Sequence, residues 1–192
     1  ANTLHPGVRA LQAPRRLPLL QMCLPALKSI STAQYRAFRD ALVRLIRADR
    51  RTDLYEWCMF QLVSHYLDPE FVPVKPSRPR YRELRQVRTA AHTVLSALAH
   101  AGSGESAAAF RLGADSLGLH DAQLLDAKQC GVTAFSRAVH TLADCYPLLK
   151  PRLLKAMALS AGCDGELNAT EREMLESIAA VMDCPVTLPL PG

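Results

Sequence analysis

The chain has 192 residues, 49% of them apolar and 6% aromatic, with a formal net charge of +5. This length is one domain or two small ones, and a single domain of this size buries about 70% of the surface its unfolded chain exposes, so disulfide staples are not required. Leucine and alanine together number 58 and isoleucine three, a balance that favours helix and argues against a sheet. The expected fold class is all-α.

Taken in chain order, prolines 6, 14, 18 and 25 predict an extended or broken lead-in over residues 1–28. Its most apolar stretch, L-P-L-L-Q-M-C-L-P-A-L from Leu17 to Leu27, carries two prolines and is too short to cross a membrane. Ala1 follows no initiator Met and no signal-peptide layout. Two readings stay open, an excised piece of a longer protein and simple Met removal. Residues 29–192 are expected to form a single helical domain, starting with a helical hairpin over 29–68. In it, Tyr35, Phe38, Leu42, Leu45 and Ile46 form one apolar stripe and Met59, Val63, Tyr66 and Leu67 the next.

Prolines 69, 73, 76 and 79 mark a linker over residues 69–80. Intervening helices are predicted over 81–146. Leu84, Val87, Ala91, Val94, Leu95 and Leu98 share one helical face, and Ala107, Phe110, Ala114 and Leu117 share another that stops at Gly118. Phe135, Ala138, Val139 and Leu142 make a third. A second hairpin is expected over 147–184, with Leu154, Met157 and Ala161 before its turn and Met174, Leu175, Ile178 and Met182 after it. Residues 185–192 form a tail. The predicted sum is a bundle of about seven or eight helices.

The two hairpins repeat each other. I-R-A-D-R-R-T-D-L-Y-E-W-C-M-F (46–60) and A-G-C-D-G-E-L-N-A-T-E-R-E-M-L (161–175) superpose at an offset of 115, placing Asp49 on Asp164, Asp53 on Asn168 and Glu56 on Glu171. The same offset sets Met59 on Met174, Val63 on Ile178 and Leu67 on Met182. Neither unit hides its apolar faces alone, so the copies are expected to pack together. An EF-hand is excluded. Counted from Asp164, positions 6 and 12 are Ala169 and Leu175, and position 12 from Asp49 is Phe60.

Two readings of the acidic turns remain. Asp53-x-x-Glu56 and Asn168-x-x-Glu171 fit capping boxes, with Gly165 supplying a left-handed turn. Alternatively, Asp49, Asp53, Glu56, Asp164, Asn168 and Glu171 pool five carboxylates and one amide, an oxygen site for Ca²⁺ or Mg²⁺.

Six cysteines are scattered without C-x-x-C spacing, which reads as reduced thiols. No H-E-x-x-H, Cys/His finger or G-x-S-x-G occurs. His65 with Asp68 and His120 with Asp121 are candidate ligand pairs, though helix-end or surface histidines account for them as well. No nucleophile, base and orienting group fall together, so an enzyme confined to these residues is not expected.

Charge is concentrated. K-P-S-R-P-R-Y-R-E-L-R-Q-V-R (75–88) carries six basic residues and one Glu, while the rest of the chain balances. Lys75, Arg78, Arg80, Arg82, Arg85 and Arg88 could lie on anionic lipid or touch nucleic-acid phosphates, or simply form a solvated face. The acidic turns count against a DNA-binding helix-turn-helix.

The twice-occurring A-D-x-x-x-[DN]-x-x-E turn between helices resembles the TerB-like domain of tellurite-resistance and DjlA-type proteins. Copy two keeps Asp164, Gly165, Leu167 and Glu171, with Cys163 in place of Ala; copy one keeps Ala48, Asp49 and Glu56, with Arg50 for Gly and Thr52 for an aliphatic residue. A further resemblance covers most of the chain. Leu17 to Phe38, Leu45 to Trp57 and the ending I-A-A-V-M-D-C-P-V-T-L-P-L-P-G (178–192) look like the C-terminal extension of bacterial HtpX-like membrane zinc metallopeptidases. That resemblance implies a TerB-like bundle on the cytoplasmic side of the inner membrane, with zinc held in a catalytic domain outside these residues. It implies a non-catalytic module that docks a protein partner, the protease domain, a substrate or a membrane surface. A freestanding, metal-responsive TerB-like scaffold is the runner-up.

Overall fold

The computed structural model describes residues 15–47, 54–74, 78–102 and 104–185. Eight helices occupy them: α1 (Arg16–Lys28), α2 (Thr32–Arg47), α3 (Leu54–Phe71), α4 (Leu84–Ala101), α5 (Ser106–Leu117), α6 (Val132–Ala143), α7 (Lys150–Ala161) and α8 (Ala169–Val181). The described residues contain no strand; Tyr81 and Cys145 form an isolated bridge that ties the approach to α4 to the end of α6. The protein is an all-α bundle.

The lead-in departs from expectation. Residues 16–28 are helical despite Pro18 and Pro25. Pro18 falls in the first turn of α1, where backbone N–H groups have no intrahelical acceptor, so its missing donor costs nothing there. Pro25 removes one bond near the other end. The deficit is offset by tertiary contacts: Leu17 is buried, and Leu20, Leu24 and Leu27 pack on neighbouring helices. Pro69 likewise lies inside α3, which runs to Phe71, so the linker begins later than the prolines suggest.

Local signals start and stop the other helices. Ser31 and Gln34 exchange side-chain and backbone bonds at the head of α2. Glu105 accepts from the N–H groups of Ala107 and Ala108 at the head of α5. Gly118, at φ 75°, ends α5 in a left-handed turn that a side chain would strain.

Two cores result. The main one is arranged around α4, which packs on α5, α6 and α7, and is filled by Val94, Leu95, Phe110, Phe135, Leu142, Leu153, Met157, Ile178 and Met182. A smaller one joins α1, α2 and the outer face of α3 through Tyr35, Val63 and Leu67, with Phe38 and Phe71 packed against it. Tyr35 stacks on Phe71 with ring centroids 4.3 Å apart. Helix α3 belongs to both cores, because Trp57 and Cys58 face the main one, Trp57 meeting Phe135 edge-on at 5.1 Å.

The hairpins α2–α3 and α7–α8 meet through their second helices, α3 against α8. Tyr55 donates to Glu173 Oε2 (2.6 Å), and Ser177 donates to the carbonyl of Cys58 (2.5 Å). Residues equivalent in the repeat do not occupy equivalent places. Met174, Ile178 and Met182 fill the main core, whereas Val63 and Leu67 fill the smaller one. No helix among the described residues is long and apolar enough to cross a membrane.

Candidate functional site

The second acidic turn is built around a helix start. Gly165, at φ 108°, reverses the chain after α7. Asn168 Oδ1 then accepts from the N–H of Glu171 at 3.0 Å, and Glu171 Oε2 accepts from the N–H of Asn168 at 3.0 Å. Both halves of the predicted capping box are present, and Glu171 is buried. These two side chains therefore do helix-capping work, while Asp164 sits exposed in the turn. In the first turn Glu56 is half-buried in the opening turn of α3, and Asp49 and Asp53 lie outside the described residues. Among the described residues no three His, Cys, Asp or Glu side chains gather at metal-binding spacing.

The basic stretch is largely tied to the protein's own surface. Arg80 pairs with Asp144 at 3.5 Å, Arg85 with Glu83, and Arg88 with Asp121. The Arg88 guanidinium holds the Asp121 carboxyl below the usual carboxylate range. Arg82 donates to the Tyr146 hydroxyl (3.0 Å) and lies over that ring, 4.6 Å from its centroid. Arg78 is exposed, and Lys75 lies outside the described residues. Such surface pairs contribute about 0–1 kcal/mol each, yet they neutralise locally the charge that the sequence concentrates there.

The candidate His/Asp pairs separate. His120 Nδ1 lies 3.2 Å from Asp115, not on Asp121. Asp68 accepts from the Tyr35 hydroxyl at 2.5 Å, and His65 meets the ring of Tyr66 edge-on. His92 and His100 are structural: their Nε2 atoms lie 2.6 and 2.7 Å from the carbonyls of Gln123 and Leu125, clamping the α5–α6 connection onto α4.

All six cysteines are free thiols. Burial pushes the Cys145 thiol up to about 11, and it raises Cys130 and Cys184 as well. Cys163 is raised by desolvation and then by the nearby Asp164, Glu171 and Glu105 carboxylates. These four are held protonated at neutral pH, the opposite of an activated nucleophile.

What the fold does assemble is a polar groove of about 560 Å³ between the C-terminal half of α3 and the ends of α6 and α8. Ser64, His65 and Asp68 come from α3, His140 and Asp144 from the end of α6, and Asp183 from just past α8. Asp183 has φ 46°, the described residues' non-glycine example of a positive φ. Behind it the buried Lys150 reaches from the start of α7 to the carbonyl of Met182, 2.5 Å away, capping α8 from another helix. Sequence reading missed this groove because its walls come from segments some forty to a hundred and twenty residues apart. The visible signal was His65 and Asp68, three apart on one helix face.

Comparison with family models, with curated proteins and with solved structures gives no match for this chain.

Proposed function

We propose that this bundle is a non-catalytic interaction module that docks a partner or substrate. Its polar groove of about 560 Å³ is the observation that carries this reading. A groove of that size matches the range of binding clefts, about 300–1,000 Å³. Three helices converge on it and leave Ser64, His65, His140 and Asp183 on its walls. The resemblance over Leu17 to Phe38, Leu45 to Trp57 and 178–192 supplies the setting: an extension of an HtpX-like membrane zinc metallopeptidase, on the cytoplasmic side of a bacterial inner membrane. Zinc and the catalytic groups would then belong to the protease domain, and this module would bring a protein to it.

The test starts with the coding sequence upstream of Asn2. An H-E-x-x-H flanked by apolar spans of about 20 residues supports the setting, and a start codon with no such motif removes it. In the full-length protein, a photo-crosslinker at Gln61 on the groove wall should capture a partner in native membranes. Absence of any crosslink there, with crosslinks elsewhere on the bundle, would move docking off this groove.

A further inference from the structure

Positive charge is concentrated in a second place. Residues 15–47, which hold α1 and α2, contain seven basic residues and one acidic residue, Asp40, a surplus larger than the +5 of the whole protein. The two basic segments differ in what their charges touch. Over 80–88 the arginines are taken up by Asp144, Glu83, Asp121 and Tyr146. In α1 and α2, Lys28 pairs with Glu70 and Arg39 lies over the Phe60 ring. Arg15, Arg36 and Arg44 are exposed, and among the described residues no ion pair holds them.

The apolar pattern of α1 is a second observation, independent of charge. Leu20, Leu24 and Leu27 pack on the smaller core, and Leu17 is buried. The opposite face is apolar as well: Pro18, Met22, Pro25 and Ala26 are exposed there, Met22 at 78%, and no charged residue occurs from Leu17 to Leu27. A helix that is apolar all round is ordinarily enclosed, yet this one forms the outside of the bundle. Helix α2 is its complement. Tyr35, Phe38 and Leu42 face inward, while Arg36, Asp40 and Arg44 follow one another at single-turn spacing on the exposed side. Both helices pack on α3, so their outer faces share one side of the molecule, an apolar strip beside a basic one.

Charge and shape decide what covers such a layer. A second copy seated on it about a twofold axis would bring the same arginines together, like against like. The outer face of one helix is convex, whereas protein partners anchor in pockets. An anionic lipid surface meets both demands, because headgroups and acyl chains close over an apolar ridge and lipid phosphates attract the arginines beside it. At 13 residues α1 is well short of the ~20 that a span needs, so it would lie in the interface rather than cross it. We propose that the α1–α2 layer seats this module on an anionic bilayer, with Pro18, Met22 and Ala26 entering the headgroup boundary and Arg15, Arg36 and Arg44 meeting lipid phosphates. The lipid contact thereby moves from residues 75–88 to a different side chain set. No residue of α1 or α2 lines the polar groove, so this proposal stands or falls apart from the docking role above.

The test sediments the whole chain with vesicles of phosphatidylcholine alone, or of equal parts phosphatidylcholine and phosphatidylglycerol. The anionic vesicles should bind about tenfold more tightly, and the preference should shrink as salt is raised. Arg36→Gln with Arg44→Gln should remove most of that preference, whereas Arg85→Gln with Arg88→Gln should leave it. Met22→Asp should weaken binding about tenfold by placing a charge on the apolar ridge. All five positions are exposed, and circular dichroism checks that the variants fold. Met22→Trp reads insertion directly, because its emission should shift to the blue on anionic vesicles while the buried Trp57 stays constant. Equal binding to the two kinds of vesicle overturns the proposal, and so does an emission that vesicles leave unshifted. A preference carried by Arg85 and Arg88 instead of Arg36 and Arg44 overturns it as well. Self-association without vesicles that Met22→Asp abolishes would make the layer a contact between copies, and the lipid proposal would fall.

Discussion

Tyr55 on α3 donates its hydroxyl hydrogen to Glu173 on α8 across 2.6 Å, joining the two hairpins of the repeat. Glu173 is 3% exposed, so the bond reaches a carboxylate that water scarcely touches. Hydrogen bonds to charged groups contribute about 1.5–3 kcal/mol. Tyr55→Phe should destabilise the protein by about 2 kcal/mol in urea unfolding. Tyr55→Phe with Glu173→Gln should cost less than the two single changes summed, since the pair acts as a unit. Strict additivity would mean the contact is incidental.

Tyr35 gives the smaller core a pH limit. Burial, then its bond to Asp68, raises the phenol far above its ordinary 10. The folded state thus keeps a proton that the unfolded chain releases near pH 10. Stability from this group is complete below pH 10 and falls as pH rises beyond it. Tyr35→Phe should flatten the alkaline limb of a stability–pH curve. If both proteins lose stability equally between pH 10 and 11, this phenol is not the cause.

Gly113 sets the spacing between α5 and α7. A Cβ there would sit 2.9 Å from the carbonyl oxygen of Ala156 and 2.7 Å from Leu95 Cδ2. Alanine at a helical glycine normally gains about 1 kcal/mol. Overpacking costs about 1–3 kcal/mol, and although the Leu95 methyl can shift, the Ala156 oxygen is backbone and cannot swing away. Gly113→Ala should therefore lower the melting temperature. A rise would mean that α5 and α7 part easily.

Asn168 separates capping from metal binding. Asn168→Ala should cost about 1 kcal/mol, through loss of the cap on α8. Excess Ca²⁺ or Mg²⁺ against chelator should leave the melting temperature of the native chain unchanged, if capping is all that these residues do. A shift that the Asn168→Ala variant abolishes would reinstate the oxygen-ligand reading of the acidic turns.

The bundle was legible where one face of a helix does one job. The stripe Val87, Ala91, Val94, Leu95 and Leu98 is buried in α4, and Phe135, Ala138, Val139 and Leu142 are buried in α6. Gly118 ends α5, and the Asn168–Glu171 box begins α8, because both signals act within a few residues. Helix α1 was hidden by its prolines. A proline's cost depends on its place in the helix and on the contacts around it, and neither can be read from its presence. The offset of 115 found the two hairpins but not their burial. Val63 and Ile178 correspond in the pattern, yet each packs on whatever the rest of the chain places beside it. The groove was illegible for the same reason, being made by the ends of helices that meet only after folding.

Helix α3 has a neighbour on each side, with Trp57 and Cys58 held by the main core and Val63 and Leu67 by the smaller one. Turning it to improve one contact would spoil the other. Gln61, Ser64, His65 and Asp68, which it lends to the groove, are therefore presented at a fixed angle and depth. A ligand would meet a stiff mould rather than a jaw, and its selectivity would come from shape already in place before it arrives.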